Sequence, residues 1–291
     1  MSDIAVVGPG AIGATVAALL AHAGHTVTLC ARTPVARLVI DAPDGRIEAA
    51  PPVWTDPAVA RPVDWVLVCT KAYDIAGAAA WLTALIGPAT RVAVLQNGVE
   101  HRARFAGLVA PERLVPVIVD IPAERVGPGQ VTVHRYGALT APDDDAGRAF
   151  AVLFADTPLD GRTSADWTTV AWRKLAINSC GIALTLIDRP FGAARQPGVA
   201  AALHTLAEEC AAVGRAEGAD LPPGLADEVV AYYRAQAPGL RNSLHNDLRA
   251  GRPLELDARD GVVVRMGERH GVPTPAHRLL IGLVEALATE R

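Results

Sequence analysis

The chain has 291 residues, of which 51% are hydrophobic and 20% charged, and its formal net charge is −4. This composition allows a large buried core, and the length predicts two domains or one large domain. No run of five like charges occurs, so neither a nucleic-acid groove nor a basic membrane patch is expected. Scattered cysteines without a CxxC pair, and the lack of a signal peptide or long apolar run, predict a cytoplasmic protein that holds no metal.

The first 100 residues predict alternating strands and helices. Strands are predicted at residues 3–8, 26–32, 64–71 and 91–98, and helices at residues 11–24 and 75–87. The strands are nearly continuous runs of Val, Leu and Ala, which is typical of parallel strands buried on both faces of a sheet. The expected fold class is therefore α/β, with an N-terminal Rossmann-type doubly wound sheet.

Residues 113–141, in which "RLVPVIVDI" and "QVTVHRYGALTA" flank "GPG", predict late strands or a hairpin. From about residue 165 the chain predicts a second, all-helical domain. Helices are predicted at residues 164–187, 199–218, 223–236, 243–250, 257–270 and 275–289. The segment "DTPLDGRTS" just before them is rich in turn-forming residues and predicts a connection between domains. We therefore expect a first domain at residues 1–164 and a second, helical domain at residues 165–291.

A glycine motif lies directly between the first predicted strand and the first predicted helix. Gly8, Gly10 and Gly13 form the pattern G-x-G-x-x-G. In such a loop the first glycine permits a tight turn, the second lets the backbone approach a pyrophosphate, and the third allows close helix–strand packing. The motif predicts that a dinucleotide is bound by Gly8, Pro9, Gly10, Ala11, Ile12 and Gly13.

The end of the second predicted strand indicates which dinucleotide is bound. An NAD site usually has an acidic residue there, but no Asp or Glu occurs between Ile4 and Ile40. Arg32 stands in that place, and a guanidinium can bind a ribose 2′-phosphate through charge-assisted hydrogen bonds. The sequence therefore predicts NADP(H). The alternative is that Arg32 only reflects the composition, since 25 of the 27 Lys and Arg residues are arginines.

The two lysines of the chain are Lys71 and Lys174, and the second lies in a predicted helix. A reductase that passes hydride to a carbonyl needs a proton donor for the developing alkoxide, and a lysine can fill this role whereas an arginine scarcely releases its proton. Asn178 lies four residues further on the same helix face and could bind a substrate carboxylate or hydroxyl. Chance retention of two lysines is the alternative interpretation.

Five segments in order resemble the ketopantoate reductase (2-dehydropantoate 2-reductase) family. They are "GPGAIG" at residues 8–13, "TKAYD" at 70–74, "LQNG" at 95–98, "WRKLAIN" at 172–178 and "NSLHNDLRAGRPLELD" at 242–257. The resemblance spans essentially the whole chain. It implies an NADPH-dependent reduction of the 2-oxo acid ketopantoate to pantoate, as in pantothenate biosynthesis.

The resemblance also implies roles for single residues. Lys174 would be the general acid toward the keto oxygen, and Glu255 would orient Lys174 and the nicotinamide ribose. Asn97 would lie beside the nicotinamide and help to place Lys174. The other implied contacts are Lys71 with the cofactor, and Asn178 and Ser243 with the substrate. Residues 1–164 are therefore expected to be an NADP-binding domain, and residues 165–291 a helical substrate and catalytic domain.

The lysine helix departs from the family pattern at one point. The family often has an Asn-Pro pair there, with the asparagine eight residues after the lysine, whereas this chain has Ile182 and Ala183. Because Lys174, Asn178 and Ile182 share a helix face, we expect Ile182 to place an apolar side chain in the substrate pocket. A less polar carbonyl or imine substrate therefore stays an alternative, as does a non-catalytic NADPH-sensing protein. A homodimer is possible.

Overall fold

The computed structural model describes residues 1–289, which form two compact units. The first unit comprises residues 1–96 and 100–167, and the second comprises residues 97–99 together with the chain from residue 168 onward. Residues 97–99 thus group with the second unit, although a strand of the first unit immediately precedes them in the chain. Within the described residues, no helix is long and apolar enough to cross a membrane.

All the strands among residues 1–289 belong to the first unit, and they form three sheets. In chain order they are β1 Asp3–Val7, β2 Thr26–Cys30, β3 Leu38–Ala42, β4 Gly45–Ala49, β5 Val53–Trp54, β6 Trp65–Val68, β7 Arg91–Val94, β8 Leu114–Pro116, β9 Ile118–Asp120, β10 Ala123–Gly127, β11 Gln130–Val133, β12 Ala138–Pro142 and β13 Asp160–Ser164.

The largest sheet has six parallel strands in the order β5-β2-β1-β6-β7-β8. The order of the strands reverses between β1 and β6, and a reversal of this kind is where doubly wound sheets bind their ligands. Residues Trp65–Val68 of β6 are all buried, as expected for a strand covered on both faces. The predicted Rossmann-type sheet is confirmed.

Two smaller sheets complete the first unit. One has the order β10-β11-β3-β4 and the other the order β13-β12-β9. The late strands predicted within residues 113–141 are confirmed, and β10 and β11 pair antiparallel as a hairpin. Residues 160–164 form β13, paired in parallel with β12, so the prediction that this segment is a connection was wrong. The segment "DGRTS" is a strand because its backbone forms hydrogen bonds with β12. The sequence does not show this pairing, since the segment has no alternation of hydrophobic and polar residues.

The helices are shared between the two units, with the longest in the second. In chain order they are α1 Ala11–His22, α2 Ile75–Leu85, α3 His101–Arg104, α4 Asp145–Val152, α5 Trp167–Leu186, α6 Pro197–Ala216, α7 Leu225–Ala235, α8 Ser243–Arg249, α9 Val262–His270 and α10 Pro275–Thr289. Short 3₁₀ turns lie at Pro57–Val59, Pro111–Arg113 and Phe191–Arg195, and a π-helical turn at Asp257–Gly261.

The second unit is helical throughout its described regular structure, which confirms the prediction for the C-terminal part. Its apolar core is centred on α5 and α6, with Leu203, Leu206 and Cys210 among its fully buried residues. The π-helical turn Asp257–Gly261 runs directly into α9, where the sequence predicted a single α-helix. A π-helical turn widens the helix locally and is frequent at functional sites.

Candidate active site

Each glycine of the loop after β1 is required for a different reason. Gly8 has φ of 87°, and a Cβ atom there would lie 2.8 Å from Cγ2 of Thr70. A Cβ atom on Gly13 would lie 2.3 Å from the carbonyl oxygen of Gly8, so helix and loop pack too closely for a side chain. Gly10 has no such neighbour within 4 Å. The loop therefore leaves open space at the glycine that would face a pyrophosphate.

The first turn of α1 offers its backbone N–H groups to an anion. Gly10 is the N-cap residue, no side chain caps this helix end, and the first turn contains no acidic residue. Pro9, Ala11 and Ile12 are half-buried beside it. An uncapped helix N-terminus combines unpaired N–H donors with a favourable dipole for a phosphate. Residues 8–13 fit a dinucleotide.

Arg32 and Lys71 lie after the carboxyl ends of two strands that flank β1. Arg32 follows β2, is exposed, and makes no hydrogen bond or ion pair with another described residue. The glycine loop is joined to the same strand end, because the Gly8 N–H donates to the Cys30 carbonyl at 3.0 Å. Lys71 follows β6 and is half-buried. The first unit thus carries the glycine loop, Arg32 and Lys71 at the carboxyl edge of its parallel sheet, whereas the predicted cofactor residues Asn97 and Glu255 belong to the second unit.

A buried histidine holds the segment that follows strand β7 and leads to Asn97. Nε2 of His101 lies 2.9 Å from the carbonyl oxygen of Gln96. Burial lowers the pKa of His101 to about 4, so the ring is neutral near pH 7 and donates through Nε2–H. The amide of Gln96 in turn donates to the hydroxyl of Thr70 at 3.0 Å. These bonds fix the backbone immediately before Asn97.

Three predicted site residues form a hydrogen-bonded group in the second unit. Nδ2 of Asn97 donates to Oε2 of Glu255 at 3.0 Å, and Nδ2 of Asn178 donates to Oδ1 of Asn97 at 3.2 Å. Glu255 is only 4% exposed, and a carboxylate so buried needs such a donor. Gly98 permits the approach, because a Cβ atom there would lie 2.7 Å from the Ala258 carbonyl oxygen.

Lys174 lies one helical turn before Asn178 on α5 and is half-buried. Side chains four residues apart on a helix project from the same face. The predicted acid is therefore on the face of α5 that carries Asn178, which is bonded to Asn97.

Ser243 is the first residue of α8 and is exposed. The preceding Asn242 is the N-cap residue: its Oδ1 accepts from the His245 N–H at 3.0 Å, and its Nδ2 donates to the Gly181 carbonyl at 3.0 Å. One side chain thus starts α8 and ties it to α5. This brings Ser243 to the helix that carries Lys174 and Asn178.

Ile182 is not brought into this group. Its side chain is fully buried in the apolar core of the second unit. The expectation that it lines the substrate pocket is therefore corrected: position 182 shares a face with Asn178, but this stretch of α5 is covered by neighbouring helices.

Arg259 is a residue of this site that the sequence analysis missed. It lies in the π-helical turn, is 2% exposed, and donates to the Asn178 carbonyl oxygen and, at 3.2 Å, to Oγ of Ser243. The signal was an arginine four residues after Glu255, in a segment otherwise interpreted only through its acidic residues. Among residues 1–289, no group of three or more His, Cys, Asp and Glu side chains could hold a metal ion.

The fold and the site define a class of protein. A Rossmann-type sheet with a dinucleotide loop, followed by a helical unit with a lysine, a buried glutamate and two asparagines, is the organisation of a pyridine-nucleotide-dependent oxidoreductase.

Comparison with known proteins identifies the family. Residues 4–145 match the model described as "Ketopantoate reductase PanE/ApbA", and residues 166–288 match its C-terminal counterpart. The chain is 52% identical to a 2-dehydropantoate 2-reductase of Caulobacter vibrioides, covering 99% of this chain and 100% of that protein. It is 40% identical to one of Mycobacterium tuberculosis, covering 98% and 97%. A ketopantoate reductase structure from Ralstonia eutropha superposes with a TM-score of 0.90 at 31% identity, covering 99% of each chain. The chain belongs to the ketopantoate reductase family, which confirms the resemblance.

Proposed function

We propose that this protein reduces ketopantoate to pantoate with NADPH, a step of pantothenate biosynthesis. The observation that carries the proposal is the hydrogen-bonded group of Asn97, Asn178 and Glu255 in a chain of this family. Asn178 of this group shares a face of α5 with Lys174. The identity of 52% over the whole length to a relative of that name supports the same substrate.

In the proposal, the cofactor is held by the first unit. The backbone of residues 8–13 binds the pyrophosphate, Arg32 binds the ribose 2′-phosphate, and Lys71 borders the cofactor. When bound, NADPH supplies the hydride that adds to the carbonyl carbon of the substrate. The exposed and unpaired guanidinium of Arg32 supports NADPH over NADH.

The second unit supplies the proton. Lys174 donates a proton to the carbonyl oxygen as the C–H bond forms, and solvent restores the proton to the lysine afterwards. Glu255 keeps Lys174 oriented and contacts the nicotinamide ribose, while Asn97 lies beside the nicotinamide. The bond from Asn97 to Glu255 supports this arrangement, because it leaves the buried carboxylate with a fixed direction.

The substrate is bound by Asn178 and Ser243 in the same proposal. The side-chain amide nitrogen of Asn178 donates to Asn97, so the side-chain oxygen Oδ1 of Asn178 is left to accept from a substrate hydroxyl. The alternative of a less polar substrate depended on Ile182, and the burial of that side chain removes its main support.

Location and assembly belong to the same proposal. The four cysteines are free thiols, which agrees with a reducing compartment such as the cytoplasm. The expected homodimer would use the exposed face of α10 that carries Leu279 and Leu283.

The proposal is tested by steady-state kinetics with NADPH and a panel of 2-oxo acids. Wild type should prefer ketopantoate to plainer branched 2-oxo acids. Lys174→Ala and Lys174→Arg should each lower kcat by about 10²- to 10⁴-fold, because neither side chain can supply the proton. NADPH affinity, measured by fluorescence titration, should change little.

The matched control is Arg173→Ala, which removes the neighbouring cation on α5 that pairs with Glu228 on the surface. This variant should retain nearly full kcat. A Lys174→Arg enzyme with wild-type kcat would contradict the proposed acid, and tight NADPH binding without turnover of any carbonyl would favour the sensing protein.

A further inference from the structure

The guanidinium of Arg259 is buried beneath Asn178 and Ser243, the two residues that bind the substrate in the proposed function. Its Nη2 donates to the backbone carbonyl of Asn178, and its Nη1 donates to the hydroxyl oxygen of Ser243. Arg259 is 2% exposed, whereas Ser243 is an exposed residue and Asn178 is half-buried. A positive charge therefore lies directly below the surface that these two residues form.

No carboxylate among the described residues accepts a hydrogen bond from the side chain of Arg259. The two hydrogen bonds to Asn178 and Ser243 are its side-chain bonds, and its buried Nε has no acceptor. Neither oxygen of the neighbouring Asp260 accepts a hydrogen bond. Burial raises the pKa of Asp260 to about 7, so near neutral pH this carboxyl is a weak counter-ion. The charge of this buried cation is therefore only partly compensated, which is unfavourable, and a bound anion relieves that cost.

Close packing fixes the guanidinium in place. A Cβ atom on Gly181 would lie 3.0 Å from Nη2 of Arg259 and 3.0 Å from the side-chain amide of Asn242. A side chain at this turn of α5 would press against the guanidinium, and the glycine leaves room for it. The charge therefore has one position relative to Asn178 and Ser243, as a recognition site requires.

The bond to Ser243 has a direct consequence for the serine hydroxyl. Because Oγ of Ser243 accepts from Arg259, its own hydrogen is left to donate to another group. A hydroxyl that accepts from a cation is also a stronger donor. The exposed side of Ser243 is thus suited to bind a carboxylate.

We propose that Arg259 is a positioning residue that makes this enzyme selective for an anionic substrate: it orients the hydroxyl of Ser243 toward the substrate carboxylate and supplies the compensating charge. This inference rests on the proposed function, since a 2-oxo acid carries that carboxylate beside the reacting carbonyl.

The test compares ketopantoate with its neutral primary amide, which keeps the keto group and removes the charge. Wild type should favour the acid by about 10²- to 10³-fold in kcat/KM. Arg259→Gln and Arg259→Met should lower kcat/KM for the acid by about 10²-fold, mostly through KM, and change that for the amide by less than about 3-fold. Arg259→Lys should retain part of the preference because the charge remains.

A double-mutant cycle and measurements of thermal unfolding distinguish this positioning role of Arg259 from a purely structural role. Ser243→Ala in the Arg259→Gln background should cost less than in wild type, because the serine then has nothing to orient it. Thermal unfolding of each variant shows whether it is folded, and Arg278→Gln, which removes a surface arginine paired with Glu268, is the control. Equal losses for acid and amide, or additive effects of the two substitutions, would overturn the proposal for Arg259.

Failure of the proposed function has a different outcome. A wild-type enzyme that turns over another carbonyl but not ketopantoate would overturn that function and this inference together. An enzyme that reduces the acid and the amide equally well would overturn only the role of Arg259.

Discussion

Side chains of the candidate site differ in how firmly the surrounding structure holds them. Glu255 and Arg259 are almost completely buried and hydrogen-bonded, so their positions are determined before any ligand binds. Arg32 is exposed and unpaired, so the interactions of its guanidinium depend on which ligand is bound. Buried, hydrogen-bonded residues such as Glu255 and Arg259 hold the site in a fixed geometry for the reaction. An exposed, unpaired residue such as Arg32 is suited to discriminate between cofactors.

Arg32→Ala should reduce the preference for NADPH over NADH. We expect kcat/KM for NADPH to fall by about 10- to 100-fold while that for NADH stays nearly constant, because only NADPH carries the 2′-phosphate. Steady-state kinetics with both cofactors measures this. Arg46→Ala, which removes an exposed arginine paired with Asp41, is the control. Equal efficiency of the wild type with the two cofactors would contradict the assignment of Arg32.

At the scale of elements, the turn from β1 into α1 shows how one motif serves both folding and binding. Gly8 and Gly13 are needed because other atoms approach them closely, whereas Gly10 has open space around it. In the second unit one side chain also has two roles. Asn242 caps α8 and donates to the Gly181 carbonyl of α5, so a shift of the helix that carries Ser243 relative to α5 would break that bond.

Gly10→Ala and Gly13→Ala should separate binding from folding. Gly10 has φ of −75°, which alanine adopts readily, so this variant should fold with nearly wild-type stability but bind NADPH about 10-fold or more weakly. Gly13→Ala should lower the free energy of unfolding by about 1–3 kcal/mol, because its methyl group meets the Gly8 carbonyl. Thermal unfolding and NADPH titration measure the two effects. Indistinguishable behaviour of the two variants would refute this division of roles.

Over the whole molecule, one buried acid links stability to pH. Asp260 is fully buried with both oxygens unpaired, and burial raises its pKa from 3.8 to about 7. Protonation is thus favoured in the folded state, and the stability from this group falls as pH rises from about 4 to about 7. The groups that interact with it electrostatically are Arg259, His277, Cys180, Cys210 and Tyr233.

Asp260→Asn should remove that pH dependence. At pH 8 the variant should exceed wild type in free energy of unfolding by about 2–4 kcal/mol, and the difference should shrink toward pH 4, where wild-type Asp260 is protonated. Chemical denaturation at several pH values measures the difference. Asp227→Asn, at an exposed position on α7, should keep the wild-type profile. A constant difference across this pH range would show that Asp260 does not titrate as proposed.

Much of the fold could be read from local patterns. The parallel strands β1, β2, β6 and β7 and the long helices follow from hydrophobic periodicity, because burial on two faces or one stripe leaves a mark in the sequence. The strand β13 left no such mark, since its partner β12 stabilises it through backbone bonds that any sequence can make. The π-helical turn was also hidden, because its backbone hydrogen bonds run within the helix and leave no mark in the side-chain pattern.

The family, the dinucleotide loop and the residue types that reduction chemistry needs could be identified from the amino-acid sequence, because they depend on motifs whose spacing is fixed along the chain. Which of those side chains meet is a result of the tertiary structure. It joined Asn97 to Glu255 and Asn178, buried Ile182 in the core, and placed Arg259 beneath Ser243. Contacts between residues 80 or more positions apart depend on how helices pack, and packing is a property of the assembled core that no single segment encodes.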